Sequence, residues 1–200
     1  MSGKDDEIRL ALCGDVMLAR GIDQILRYPG DPTIIRRHPN NANDYVRMAE
    51  RASGKLPDHR DVDYVWGDAL AEFEAFAPDL RSINLETAIT AQGKPWPRKP
   101  IRYRMEPRNI EVLTAARIDF CSLANNHVMD WAYVGMAETI LALAKAGIAC
   151  AGAGRDRRYA AAPAILEVPD KGRVIVVSLA TLSTIFRRSG PREWNGRGSI

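Results

Sequence analysis

An apolar run that stops dead at three consecutive polar side chains constrains this chain more than any other feature: residues 118–130, IDFCSLANNHVMD, end their hydrophobic stretch at Asn125, Asn126 and His127. Phe120, Ser122 and Ala124 alternate with Cys121, Leu123 and Asn125 over a length that suits a buried strand. A helical pattern from Gly135 to Ala146 follows and stops at Gly147. The polar groups then lie at a strand's C-terminal end, the edge at which open α/β sheets bind ligands. Asn-Asn is also a turn signal, and a histidine near a strand end is often only a hydrogen-bonded structural group. The choice between site and turn rests on what the other strand ends carry.

They carry the same kind of residue. Ile8, Leu10 and Leu12 alternate with Arg9, Ala11 and Cys13 in a first strand that ends at Gly14-Asp15, ahead of an amphipathic helical run from Val16 to Leu26. Asp15 is either a metal ligand at that strand end or an ordinary helix N-cap. A second strand, Leu80 to Leu85, delivers Asn84 and Glu86 to its C-terminal edge, although both residues also suit the cap of a turn. With Asp15, then Asn84 and Glu86, then Asn125, Asn126 and His127, three successive strand ends present carboxylate, carboxamide and imidazole groups. Such ligands suit Mn, Fe, Zn or Mg, and two such ions roughly 3.5 to 4 Å apart can clamp a phosphoester and activate water.

Between these strands the pattern predicts a long loop over Tyr28–Asp63, holding His38 and His59, which is either a lid or a surface loop. Val65–Phe76 reads as one helix that ends before Pro78. Ala91–Arg104 concentrates three prolines, five cations, Trp96 and Tyr103, and reads as an ordered loop that either closes over an anionic ligand or packs its aromatics on the domain. A short helix is expected over Ile110–Ala116, a strand and turn over Gly147–Gly154, and a helix over Arg155–Ala162. The GAG of that turn lacks a full dinucleotide pattern and a Walker lysine, so it reads as turn geometry. Ala164–Val168 and Val174–Leu179 flank PDKG as a hairpin, and the tail from Phe186 to Ile200 reads as poorly ordered.

Composition narrows the function classes. A 46% hydrophobic and 26% charged chain of 200 residues buries one ordinary core. The net charge of +3 comes from 28 basic and 25 acidic residues without a basic block, so no nucleic-acid partner is implied. The charged N-terminus is no signal peptide and no segment approaches a membrane span, so the expected location is cytoplasmic. Cys13, Cys121 and Cys150 lie in or beside apolar runs and read as reduced, buried thiols.

The motifs GDVMLARG (14–21), VWGDAL (65–70), NLETAIT (84–90), YRMEP (103–107), LTAARIDFCSLANNHVMDW (113–131) and AGIACAGAGRD (146–156) resemble the capsule-synthesis protein CapA family. That family is associated with poly-gamma-glutamate formation and belongs to the calcineurin-like metallophosphoesterases. The resemblance covers about residues 8–182, with a disordered stretch expected at 1–7 and a tail at 183–200. It implies an α/β, metallophosphoesterase-like αββα sandwich, incomplete at the C-terminal side, because the family's later histidine motifs have no match after His127. It also implies Asp15, Glu86, Asn125 and His127 as metal ligands, His127 and Asn126 as catalytic groups, and Asn84 and Asp130 in support. The substrate would be anionic or polyglutamate-like. Two readings stand: a metal-dependent hydrolase, or a truncated, non-catalytic module that binds polymer or a partner. Missing strands would leave Val174, Val176, Leu179 and Leu182 exposed, favouring self-association or a partner subunit.

Overall fold

The computed structural model describes residues 7–35, 40–56 and 61–181. In chain order they form β1 (Leu10–Val16), α1 (Gly21–Ile25), α2 (Asn43–Ser53), α3 (Ala69–Phe76), β2 (Leu80–Leu85), β3 (Ala88–Ile89), β4 (Arg104–Met105), α4 (Glu111–Ala115), β5 (Phe120–Ser122), α5 (Ala132–Lys145), β6 (Ala149–Ala151), α6 (Arg157–Ala160), β7 (Ala164–Val168) and β8 (Gly172–Val176). The fold is mixed α/β around a parallel sheet of order β1-β2-β5-β6. Because every pairing in that sheet is parallel, the C-terminal ends of β1, β2 and β5 lie side by side on one edge. Ile83, Leu85, Cys121 and Leu123 anchor the main core with Val112, Leu113, Met136 and Leu143 from the helices.

The β1–β2 register sets the position of the first carboxylate. Leu12 pairs with Ser82 and Asp15 with Asn84, so Cys13 and Gly14 stand opposite Ile83 alone. This β-bulge bends an edge strand and re-aims the residue that follows it. Asp15 is therefore a strand residue directly beside Asn84, and the N-cap alternative falls away.

Several boundaries differ from the sequence expectation. The helix expected over Val16–Leu26 is confined to Gly21–Ile25, since β1 runs on to Val16. The loop expected over Tyr28–Asp63 contains α2, a surface helix with no buried residue. The turn signals of Asn40 and Asn41 mask its start. His38 and His59 lie outside the described residues. The single helix expected over Val65–Phe76 is a 3-10 turn at Tyr64–Trp66 followed by α3, with Gly67 at φ 50° between them. The loop 91–104 ends in β4, which pairs with β3. It packs tightly enough that a Cβ on Gly93 would fall 2.1 Å from the Trp131 carbonyl oxygen.

The hairpin forms over Ala164–Val168 and Gly172–Val176, and of the described residues expected to be exposed Leu179 is, while Val174 and Val176 are not. Val174 and Val176 are half-buried, Val176 packing near Phe120 and Ala151, whereas Ile165, Ile175, Val177 and Leu179 face outward. Alternation fixes which residues share a face, and the packing beneath decides which face is covered. Leu182, the N-terminal residues 1–6 and the tail lie outside the described residues. Among those described, Cys13, Cys121 and Cys150 are all free thiols, and no helix is long and apolar enough to cross a membrane. The GAG turn is close-packed: a Cβ on Gly152, at φ 95°, would meet the Ala124 nitrogen at 2.5 Å and Ser178 Oγ at 2.7 Å. That is turn geometry, in which only glycine fits at position 152.

Candidate functional site

The end of β5 turns sharply, and the Asn125 side chain stabilises the turn. Its Oδ1 accepts from the backbone N–H of His127 at 2.9 Å and of Val128 at 3.1 Å. Its Nδ2 donates to Asn84 Oδ1 and to the Leu85 carbonyl, both at 3.0 Å. Asn84 in turn donates to Asp15 Oδ1 at 2.7 Å. A line of amides thus ties the ends of β5, β2 and β1 together, and in this arrangement both amides brace the carboxylate and the imidazole. A carboxamide suits this brace because it donates and accepts in one plane without carrying charge.

His127 is buried, and two contacts orient its ring. Nδ1 lies 2.6 Å from Asp130 Oδ2, with Asp130 fully buried, and the Tyr103 ring stacks on the imidazole at 4.1 Å between centroids. A carboxylate only accepts, so Nδ1 carries the proton of that bond and Nε2 is left for another partner. Nε2 lies 3.5 Å from Glu86 Oε1. Asp130 also accepts from the Tyr103 backbone N–H at 2.6 Å and pairs with the buried ammonium of Lys99, which donates to the Asn126 carbonyl as well. Burial pulls Lys99 below the usual lysine range, and the Asp130 charge opposes that pull. The half-buried Asn126 thus contributes its carbonyl to this buried cluster.

Glu86 joins the two halves. Its carboxyl lies within hydrogen-bonding reach of Asp15, and burial followed by the Asp15 charge raises it above the ordinary glutamate range, while His127 acts the other way. Two carboxylates pressed together beside a tethered imidazole are the donor chemistry of a divalent cation site, in which the ion's charge relieves their repulsion. A carboxylate on the far nitrogen of the imidazole is the usual outer partner of a metal-binding histidine. The described residues nevertheless contain no group of three His, Cys, Asp or Glu closed around one point. Asp15, Glu86 and His127 form a row of pairwise contacts.

All the residues singled out in the sequence therefore meet at one edge: Asp15, Asn84, Glu86, Asn125, Asn126, His127 and Asp130. Lys99 and Tyr103 were not singled out as site residues. Their signal was the density of cations and aromatics in residues 91–104, which marks a loop facing an anion or packed on the domain but does not say which side chain enters the core.

A family model described as "Bacterial capsule synthesis protein PGA_cap" matches residues 9–198. Two curated proteins from strains of Mycobacterium tuberculosis, each named a probable polyglutamine synthesis accessory protein, are 46% identical over 197 residues, covering 98% of this chain and 51% of the relative. An uncharacterized protein of Sinorhizobium fredii is 40% identical over 77 residues, 38% of this chain and 16% of that protein. The chain spans about half the length of the Mycobacterium relatives.

Proposed function

The chain belongs to the bacterial capsule synthesis protein family matched above, and on that premise we propose that it acts in making a glutamyl polymer through a metal-assisted site at the sheet edge. The observation that carries this reading is the Asp130–His127–Glu86–Asp15 row, in which a buried carboxylate orients an imidazole toward two crowded carboxylates. Asp15, Glu86 and His127 Nε2 are the groups that would hold a divalent ion, Mn, Fe, Zn or Mg, with Asn125 and Asn84 beside them. The ion would supply Lewis-acid polarisation of a phosphoryl or similar anionic oxygen. The residues of this chain do the rest. Asp130 holds the imidazole in one tautomer, Asn84 and Asn125 hold the strand ends in register, and the Tyr103 ring shields one imidazole face from water. Asn126, half-buried beside His127, would be the neighbouring group that meets substrate.

A second reading, a non-catalytic polymer- or partner-binding module, is favoured by the open row of donors. Calorimetric titration with Mn or Zn, beside a phosphodiester assay, separates the two. Binding and turnover that both vanish in His127→Ala support the catalytic reading. Metal binding without turnover supports the module. Affinity unchanged in both His127→Ala and Glu86→Gln removes the metal site altogether.

A further inference from the structure

Outside the row of donors, a shallow groove of about 40 Å³ runs between residues 31–35, the start of α1 and residues 100–104. Its charged lining consists of Arg20, Arg102 and Arg104 with Asp23 and Asp31. Both carboxylates already have partners. Asp23 accepts from the backbone N–H of Gly30 and of Glu106, each at 2.9 Å, and from Asn109 Nδ2 at 3.1 Å. Asp31 accepts from the Thr33 N–H at 2.9 Å and reaches Arg104 only at 3.5 Å.

The guanidinium groups are not matched in the same way. Arg102 donates to a neutral carbonyl, that of Trp96, from Nε at 3.1 Å and Nη2 at 2.6 Å. Arg104 lies over the Trp131 ring at 3.9 Å. Among the described residues the Arg20 side chain donates one hydrogen bond, from Nη1 to the Tyr45 hydroxyl at 3.0 Å, and it lies over the Tyr103 ring at 4.9 Å. Among the described residues, Arg20 Nε is the buried side-chain nitrogen or oxygen left without a hydrogen-bond partner. An orphaned donor on a charged group is costly. Arg20 also adopts φ 55°, a conformation that non-glycine residues resist and that clusters at ligand clamps. Arg20 thus lines a groove rich in guanidinium while one of its own donors is sealed from solvent without a partner, and the groove as a whole calls for an acceptor.

The groove specifies what kind. The guanidinium fork matches a planar carboxylate in bidentate fashion, and the apolar walls formed by Ile34, Pro100 and Ile101 suit a short run of methylenes. We propose that the groove is a carboxylate subsite that takes the free carboxylate of one glutamyl unit of the polymer, with Arg20 as its principal donor. The choice of polymer rests on the function proposed above. The subsite also has a defined relation to the sheet edge: Arg20 covers the Tyr103 ring, and that ring stacks on His127 at 4.1 Å. A carboxylate held by Arg20 anchors the chain one aromatic ring away from the imidazole.

The test is calorimetric titration of the full chain with a short γ-linked glutamate oligomer, the matching glutamine oligomer, glutarate and inorganic phosphate. The proteins are wild type, Arg20→Gln, Arg20→Lys, Arg104→Gln and His127→Ala, each checked for folding by circular dichroism. The glutamate oligomer should bind at least about tenfold more tightly than the glutamine oligomer, and Arg20→Gln should lose about the same factor. Arg20→Lys, which keeps the charge but not the fork, should recover only part of it. Arg104→Gln should weaken binding less, and it carries the test if Arg20→Gln does not fold. His127→Ala should retain oligomer binding, so failure of the metal site leaves this signal intact. Arg20-dependent binding of glutarate without either oligomer would keep the carboxylate subsite and remove the polymer. Equal binding of the two oligomers, Arg20-dependent binding of phosphate alone, no binding of any probe, or affinity unchanged in both Arg20→Gln and Arg104→Gln would overturn the proposal.

Discussion

The two ends of the donor row are built differently. His127 is buried, stacked on Tyr103 and tied to Asp130, which is itself paired with Lys99 inside the protein. Asp15 sits exposed on the edge strand β1, just past a bulge, with a hydrogen bond donated by the Asn84 side chain to hold it. The imidazole end is set before any ligand arrives, whereas the aspartate end can adjust by a small movement of a strand edge. A site with one fixed and one adaptable end orients its ligand from the fixed side.

The strongest way to break this comparison is to remove the centre of the fixed end. Asp130→Ala leaves the Lys99 ammonium buried without its counter-charge and frees the His127 ring, so it should cost about 3 to 5 kcal/mol in a urea unfolding series. Asp15→Ala, on an exposed strand edge, should stay within about 0.5 kcal/mol of wild type. Equal losses would mean that the two ends are not distinct.

Asn125→Ala comes next. It leaves the N–H groups of His127 and Val128 without their acceptor and cuts the link from β5 to Asn84. The expected cost is about 1 to 3 kcal/mol. Asn84→Ala severs only the link toward Asp15 and the bond from Asn125, so it should cost less. The reverse order would place the brace on β2 and not on the turn after β5.

A smaller effect concerns the metal. If the fixed end orients the ion, Asp130→Asn should weaken Mn or Zn binding by about tenfold or more through the imidazole, since Asp130 touches only the ring nitrogen remote from Glu86. Asp15→Asn should weaken it by a similar or smaller factor and should also narrow the discrimination between ions of different size. Calorimetry with both ions reads both effects.

The contrast between the two ends also explains what the sequence could reveal. The strand ends were legible because alternation stops at a run of polar residues, and Asp15, Glu86 and His127 do meet on one edge. The bulge that moves Asp15 from helix cap to strand residue was not legible, because it depends on pairing with β2, far along the chain. Lys99 reads as one more surface cation in KPWPRKP until Asp130, 31 residues later, draws it inward. Two-residue strands such as β3 and β4 carry no periodicity at all. The helix α2 buries no residue completely, and the Pro, Asn and Asp turn signals around it concealed its start. On β8, alternation paired Val174 with Val176 correctly, yet only the contact with Phe120 and Ala151 decides that this face is the covered one.

The smallest effect tests whether the two ends communicate through Glu86. In the metal-free chain, burial and the Asp15 charge hold the folded-state pKa of Glu86 above its ordinary value. Between the unfolded and folded values the native state binds more protons than the unfolded one, so stability falls as pH rises through that window. The penalty is complete above the folded-state value and absent below the unfolded one, near about 4.3. Glu86→Gln removes the titration. The variant should therefore be more stable than wild type at neutral pH by less than about 1 kcal/mol, given solvent screening of a partly exposed group, and the gain should vanish on acidification. Asp15→Asn removes the second cause but not burial, so it should shrink the pH dependence without abolishing it. If Glu86→Gln instead proves less stable at neutral pH, the attraction between the Glu86 carboxylate and His127 outweighs burial and the Asp15 charge. The fixed and adaptable ends would then be one coupled unit, and orientation of the ligand could not be assigned to His127 alone.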